Sequence, residues 1–124
     1  MTTKVNIAEK FSQITEYWKP YVGAELNGQM VKLVKFDSPF VWHHHDHEDE
    51  MFLVVKGRFK MEFKEDGRER HQWIEAGEFI VVPRGVEHRP VAEQECWIVL
   101  FEPASTLNTG NVVNERTVAD LQHV

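Results

Sequence analysis

Trp42-His43-His44-His45-Asp46-His47-Glu48-Asp49-Glu50 packs four of the chain's seven histidines into five positions and leads straight into an apolar run. In extended chain, residues two apart point to the same face. His43 and His45 therefore present two imidazoles side by side. A short turn follows, and Glu50 opens the next strand. If that strand pairs with the first, Glu50 faces the same interior. A metal ion needs this convergence, because side-chain ligands meet at about 2.0–2.2 Å from one centre. His44 then points outward, His47 lies in the turn, and Asp49 has the opposite parity from the apolar inward set.

Working outward, short runs rich in Val, Ile, Phe and Trp alternate with turn signals from Tyr21 to Glu102. This predicts strands near 22–27, 30–36, 40–45, 50–56, 58–64, 69–74, 78–82, 87–92 and 95–102. Asn27-Gly28, Glu65-Asp66-Gly67 and Arg84-Gly85 mark tight turns. Many short strands at this spacing indicate a sandwich or barrel rather than βαβ units. A fourth ligand is available downstream. Gly77-Glu78-Phe79-Ile80-Val81-Val82-Pro83-Arg84-Gly85-Val86-Glu87-His88 reads as a strand, a rigid turn, and His88 on the returning strand. Pro83 restricts one backbone angle and Gly85 permits a positive one, so the turn aims His88 at a set place.

These residues resemble the two motifs of the cupin superfamily. His43-x-His45-x4-Glu50-x6-Gly57 is similar to the first and Gly77-x5-Pro83-x-Gly85-x2-His88 to the second, in order and 19 residues apart. The resemblance covers about positions 37–92. It implies an all-β cupin jelly-roll barrel with a metal inside, held by His43, His45, Glu50 and His88. Asp37 stands where the family usually has glycine, and Ala92 where it usually has asparagine; neither is a ligand position. Pairing His45 with His47 would leave only two residues before Glu50, which fits the family spacing less well. A solvated histidine tract without metal is the bland alternative.

Beyond the motifs, residues 6–18 read as a short amphipathic helix, since Ile7, Phe11, Ile14 and Trp18 recur at helical spacing. Asn6 and Glu9 resemble a capping box, and Pro20 ends the segment. The expected organisation is one cupin domain over 1–124, with an N-terminal helical arm (1–20), a barrel (21–102) and a tail (103–124). In the tail, Asn108-Thr109-Gly110-Asn111 should turn and Thr117–Leu121 could form a short helix. Met51, Leu53 and Val55 face outward from an apolar strand and need a cover, either the N-terminal helix or a second copy. The resemblance to small cupins favours a homodimer. Inward partners of the metal should include Phe36, Val41, Phe79 or Val81, and Val86, making an apolar pocket that suits a small molecule.

Composition narrows the rest. A formal charge of −6 disfavours a nucleic-acid backbone as partner. No apolar run approaches the ~20 residues that span a bilayer, and Met1–Asn6 lacks an apolar signal core, so a cytoplasmic protein is expected. The single cysteine, Cys96, permits no intrachain disulfide and reads as a buried strand residue rather than a partner for Tyr17 or Tyr21. The tail resembles that of small bacterial cupins. Three imidazoles and a carboxylate accept one divalent metal, whether iron, manganese, nickel or zinc. The resemblance, nearest in general form to mannose-6-phosphate isomerase-like small cupins, implies a mononuclear metalloenzyme of dioxygenase or isomerase/epimerase type. The alternative is a non-catalytic small-molecule or sugar binding module. Glu62, Glu78 and Tyr21 are candidate acid–base residues, and Arg84 and Arg89 candidate anion binders. All five are expected on the surface.

Overall fold

A computed structural model describes residues 2–124. One helix, α1 (Ile7–Phe11), precedes eight strands: β1 (Tyr21–Leu26), β2 (Gln29–Pro39), β3 (Glu50–Lys56), β4 (Arg58–Glu65), β5 (Arg68–Glu75), β6 (Phe79–Val82), β7 (Glu87–Pro103) and β8 (Gln122–His123). Asn27 and Gly28 both take positive φ, 51° and 77°, as do Asp66 and Gly67, 51° and 73°. That geometry matches the right-handed twist of the strands they join, so two tight hairpins form. Among the described residues no helix is long and apolar enough to cross a membrane.

The strands curl into a jelly-roll barrel as one eight-stranded sheet because β7 pairs with three other strands. Its first part pairs antiparallel with β4 (Lys60↔Val91 to Lys64↔Glu87), its second with β3 (Met51↔Phe101 to Lys56↔Trp97), and β2 runs along its other edge. The expected strands at 87–92 and 95–102 are thus one continuous strand. Alternation sorts the side chains. Phe36, Phe52, Phe59, Met61 and Ile98 are buried in the inner core. Full burial of one such side chain stabilises by roughly 1.5–3 kcal/mol. Cys96 lies in the same core, and burial pushes its thiol up to about 12. Tyr17 is on the surface and bonds Glu95, so the cysteine is inert packing rather than a partner for Tyr17.

Four further expectations are corrected. First, helix spans only 7–11, with the Asn6 side chain accepting from the Glu9 amide at 3.0 Å. Phe11 and Ile14 pack on the outer face against Leu33 and Val99, partly covering Leu53 and Val55. Trp18 leaves the helical path with φ 62° and stacks on Phe36 and Phe40, at centroid distances of 4.3 and 4.7 Å. Tertiary stacking outweighs weak helical propensity in so short a segment.

Second, 40–45 is not a strand. The Phe40 amide bonds the Pro90 carbonyl, and the next backbone pair is His43 with His88. Three steps on one side face two on the other, so the ladder breaks at a bulge. Third, β6 has the reverse parity from that expected. Val82 is buried and Ile80 packs on the core, while Phe79 and Val81 are 62% and 50% exposed. Val41 is only half-buried. Fourth, Thr117–Leu121 is not helical. The Asn108 side chain takes the Val118 amide, and the Thr117 hydroxyl takes the Asn114 amide, so side chains replace helical partners. The expected turn at 108–111 is present.

Candidate metal centre

Three separated segments carry the four residues. His43 and His45 lie on the irregular link after β2, Glu50 opens β3, and His88 is the second residue of β7. Backbone bonds hold the link in place. The His43 amide donates to the His88 carbonyl at 3.1 Å, the His88 amide to the His43 carbonyl at 2.9 Å, and the Gly85 amide to the His45 carbonyl at 2.8 Å. Gly85 has φ 82°, the conformation that the sequence assigned to it. From the tail, the Asn111 amide donates to the His44 carbonyl at 3.0 Å, and the Asn111 side chain accepts from the His44 amide at 2.8 Å. His45 and His43 point inward although no regular strand carries them. His44 turns out to meet Asp46, and His47 is exposed.

All four side chains are buried, His88 completely. Glu50 Oε1 lies 2.7 Å from His45 Nε2 and 3.3 Å from His88 Nε2. The His43 ring is 4.3 Å from that of His88 and 5.0 Å from that of His45, centre to centre. One donor atom from each of the four residues falls within 4.8 Å of the others. Atoms sharing a metal at about 2.0–2.2 Å lie at most about 4.4 Å apart, so a few tenths of an ångström of closure would suffice.

The tautomers suit a cation. His43 Nδ1 is 2.9 Å from the Val41 carbonyl and His88 Nδ1 is 2.8 Å from the Val86 carbonyl. A carbonyl only accepts, so both Nδ1 atoms carry the proton and both Nε2 atoms keep a lone pair. His45 Nε2, His88 Nε2 and Glu50 Oε1 are buried with no protein hydrogen-bond partner of acceptable geometry, despite their short separations. Buried polar atoms crowded together without partners are what a divalent cation resolves, so the residues present fit one. Burial, reinforced by the neighbouring His88, lowers the His43 imidazole to about 3 and keeps it neutral. For Glu50 burial works upward, but the side chains of Glu102, His45 and His88 around it outweigh burial and hold it well below the usual carboxylate range.

Glu102 and Lys32 are buried charged residues beside the site that motif reading missed. Burial raises the Glu102 carboxyl well above its ordinary value, and the Glu50 charge adds to this. Lys32 Nζ sits 2.7 Å from Glu102 Oε1, and both side chains are 1% exposed. A signal existed: each has the parity of an apolar inward set, Lys32 with Val34 and Phe36, Glu102 with Ile98 and Leu100. Trp18, Phe36, Phe40, Phe52, His43 and Glu50 line a small cavity beside the site, joined by Asn108 from the tail. Its volume is about 30 Å³ counted as positions open to the centre of a water-sized sphere, enough for one or two waters.

The remaining candidates lie outside. Asp49 is exposed and accepts from the Arg84 amide at 2.8 Å, which holds its carboxyl below its usual range. Arg84 extends to solvent beside it. Glu62 is held by Arg89 at 2.7 Å and by Lys60 at 3.2 Å, and Glu78 is exposed. Tyr21 packs half-buried on the outer cluster.

Comparison with known proteins places this geometry. The family model described as "Cupin domain" matches residues 29–100. A cupin-2 domain containing protein from Shewanella frigidimarina NCIMB 400 superposes with TM-score 0.75 at 41% identity, covering 80% of this chain and 93% of that one. YdbB of Bacillus subtilis (strain 168) is 27% identical over 89 residues, which is 72% of this chain and 76% of the relative. Hydroquinone 1,2-dioxygenase from Sphingomonas sp. TTNP3, solved with 4-hydroxybenzoate bound, has TM-score 0.74 at 20% identity, covering 83% of this chain and 32% of that one. At that identity the likeness is one of fold.

Proposed function

The chain belongs to the cupin domain family, and from that premise we propose that it holds one divalent metal on His43, His45, Glu50 and His88 and acts on a small molecule there. The observation that carries this reading is the convergence of His45 Nε2, His88 Nε2 and Glu50 Oε1, all buried and all without a protein partner. Bound there, iron, manganese, nickel or zinc would polarise a ligand oxygen, activate water or support redox chemistry. The chain's own residues do the rest. The Val41 and Val86 carbonyls fix the tautomers of His43 and His88. Trp18, Phe36, Phe40 and Phe52 exclude bulk water and offer apolar walls to the body of a small molecule. Asn108 supplies the polar group on the tail side. The reaction type we propose is that of a mononuclear dioxygenase or isomerase/epimerase. The dioxygenase with 4-hydroxybenzoate is a precedent for a small molecule in this fold.

A second reading, a metal-assisted binding module without catalysis, draws support from one observation: Glu62, Glu78, Arg84 and Arg89 all lie away from the cavity. Elemental analysis of protein purified without a histidine tag, followed by turnover and binding screens with small phenols, hydroxy acids and sugars, tests both. Close to one metal equivalent per chain, largely lost in His45→Ala and His88→Ala, is the expected result. Full metal retention in both variants would sink the assignment. Ligand binding without turnover would select the binding module.

We further propose a homodimer. The edge strand β6 exposes Phe79 and Val81 beside Met51, with Phe101 next across the sheet, and α1 packs on other residues of that face. An exposed apolar row on an edge strand is a surface that a second copy can cover.

A further inference from the structure

We propose that Lys32 and Glu102 form a buried brace that positions the Glu50 carboxylate for the metal and so sets the site's affinity. The inference rests on the metal reading above. Three neighbouring strands contribute one residue each. On β2 and β7, Lys32 pairs with Leu100 and Met30 with Glu102. On β3 and β7, Phe52 pairs with Leu100 and Met51 with Phe101. Continuing that register sets Glu50 across from Glu102. All three side chains point into the barrel, at 1%, 1% and 3% exposure for Lys32, Glu102 and Glu50. Lys32 Nζ donates to Glu102 Oε1 at 2.7 Å and to the Thr106 carbonyl at 3.2 Å. The other Glu102 oxygen, Oε2, is buried with no hydrogen-bond partner among the described residues, and the strand register sets Glu50 beside it.

Stability alone does not account for this pair. A buried ion pair loses more hydration than it regains unless its geometry is complete, and well-packed apolar replacements are often neutral or stabilising. Here the geometry is incomplete by one carboxylate oxygen, and that oxygen adjoins the proposed ligand. A carboxylate ligand in an apolar barrel would swing between rotamers unless something polar fixes the oxygen that is not on the metal. Glu102 is placed to do that through one proton held between the two carboxyl groups, since two bare carboxylates would only repel, and Lys32, tied to the start of the tail at Thr106, keeps Glu102 from turning away. Glu102 and Lys32 are therefore positioning residues, acting on the metal through Glu50. Outer partners of this kind carry about 10–100-fold in metal affinity.

The test uses Co²⁺ as probe on the full chain, with affinity from competition against a chromophoric chelator and ligand geometry from the visible absorption bands. Glu102→Gln keeps an acceptor for Lys32 and offers a donor to Glu50, so its affinity should stay within about threefold of the parent. The double variant K32M/E102L should melt within a few degrees of the parent when metal-free, yet lose roughly 10–100-fold in Co²⁺ affinity with shifted bands. Ile74→Val, a core change on β5, should lower the melting temperature and leave affinity and bands alone. A folded double variant that binds Co²⁺ like the parent, with the same bands, overturns the brace and leaves the metal site standing. A parent protein that takes up no Co²⁺ overturns the metal reading and the brace with it. If the double variant does not fold, Lys32→Gln decides in its place: a loss above about fivefold supports the brace, and no loss overturns it.

Discussion

Replacing Gly110 by alanine should damage the candidate site from a distance, by lifting the tail off the histidine link. Gly110 has φ 55°, and a Cβ built there would lie 2.2 Å from the His44 carbonyl oxygen and 3.1 Å from His43 Cδ2. The left-handed backbone alone costs an alanine about 1–2 kcal/mol. The overlap is with backbone, which cannot rotate away, so the tail must retreat by about 1 Å to reach ordinary contact. That retreat would break the two hydrogen bonds between Asn111 and His44, 2.8 and 3.0 Å long, at about 0.5–1.5 kcal/mol each. The sum is about 2–5 kcal/mol, which in a chain of this size lowers the melting temperature by roughly 8–20 °C. Gly67→Ala is the internal control. Its φ is 73°, but nothing lies within 4 Å of the added carbon, so only the backbone cost of about 1–2 kcal/mol applies. Thermal melts of both variants, with metal titrations beside them, measure the difference. Gly110→Ala should also bind metal more weakly, because His44 sits between two of the proposed ligands. Equal melting temperatures for the two variants would refute the reasoning, since they would mean that the tail does not press on the link.

Three further outcomes are expected. Chelated protein should melt cooperatively and only several degrees lower, because saturating metal adds roughly 2.7 kcal/mol at a hundredfold excess over its dissociation constant; unfolding on chelation at room temperature would make the metal structural instead. In metal-free protein the His43 ring, lowered to about 3 by burial, takes its proton more readily when unfolded, at about 6.5. Its contribution is therefore fully present above about pH 6.5 and is lost as pH falls towards 3. Urea denaturation should show about 2 kcal/mol of that loss between pH 7 and pH 5, absent in His43→Leu; parallel profiles for the two proteins would contradict it. Light scattering at micromolar concentration should give a dimer that Phe79→Glu combined with Val81→Lys converts to monomer, and a monomeric parent would count against the covered face.

Much of the fold and of the candidate site was legible because the signals that carry them are local. Hairpin turns at Asn27-Gly28 and Asp66-Gly67 need only two residues that tolerate positive φ, and both pairs adopt it. Two-residue alternation was enough to turn His43 and His45 inward and His44 outward, and it survived even where the strand itself did not form. Glu50 and His88 followed from spacing around turns of set shape. The parity of β6 was not legible, since Phe79-Ile80-Val81-Val82 is apolar on both faces. It was decided by pairing with β3, which sets Ile80 opposite Phe52 and Val82 opposite Glu50.

By itself, then, the sequence determined which residues could converge, because side-chain direction in extended chain is a property of neighbours. Only the tertiary structure decided what surrounds them. Trp18 satisfies the helical period and still leaves the helix, because Phe36 and Phe40 offer its ring more contact than one further helical turn would. Lys32 and Glu102 carry an inward parity, yet their junction with Glu50 exists only once β2, β7 and β3 lie side by side in one register. Contacts across 70 residues of chain, such as Lys32 to Glu102, depend on strand order and barrel closure, and neither is encoded in any local stretch.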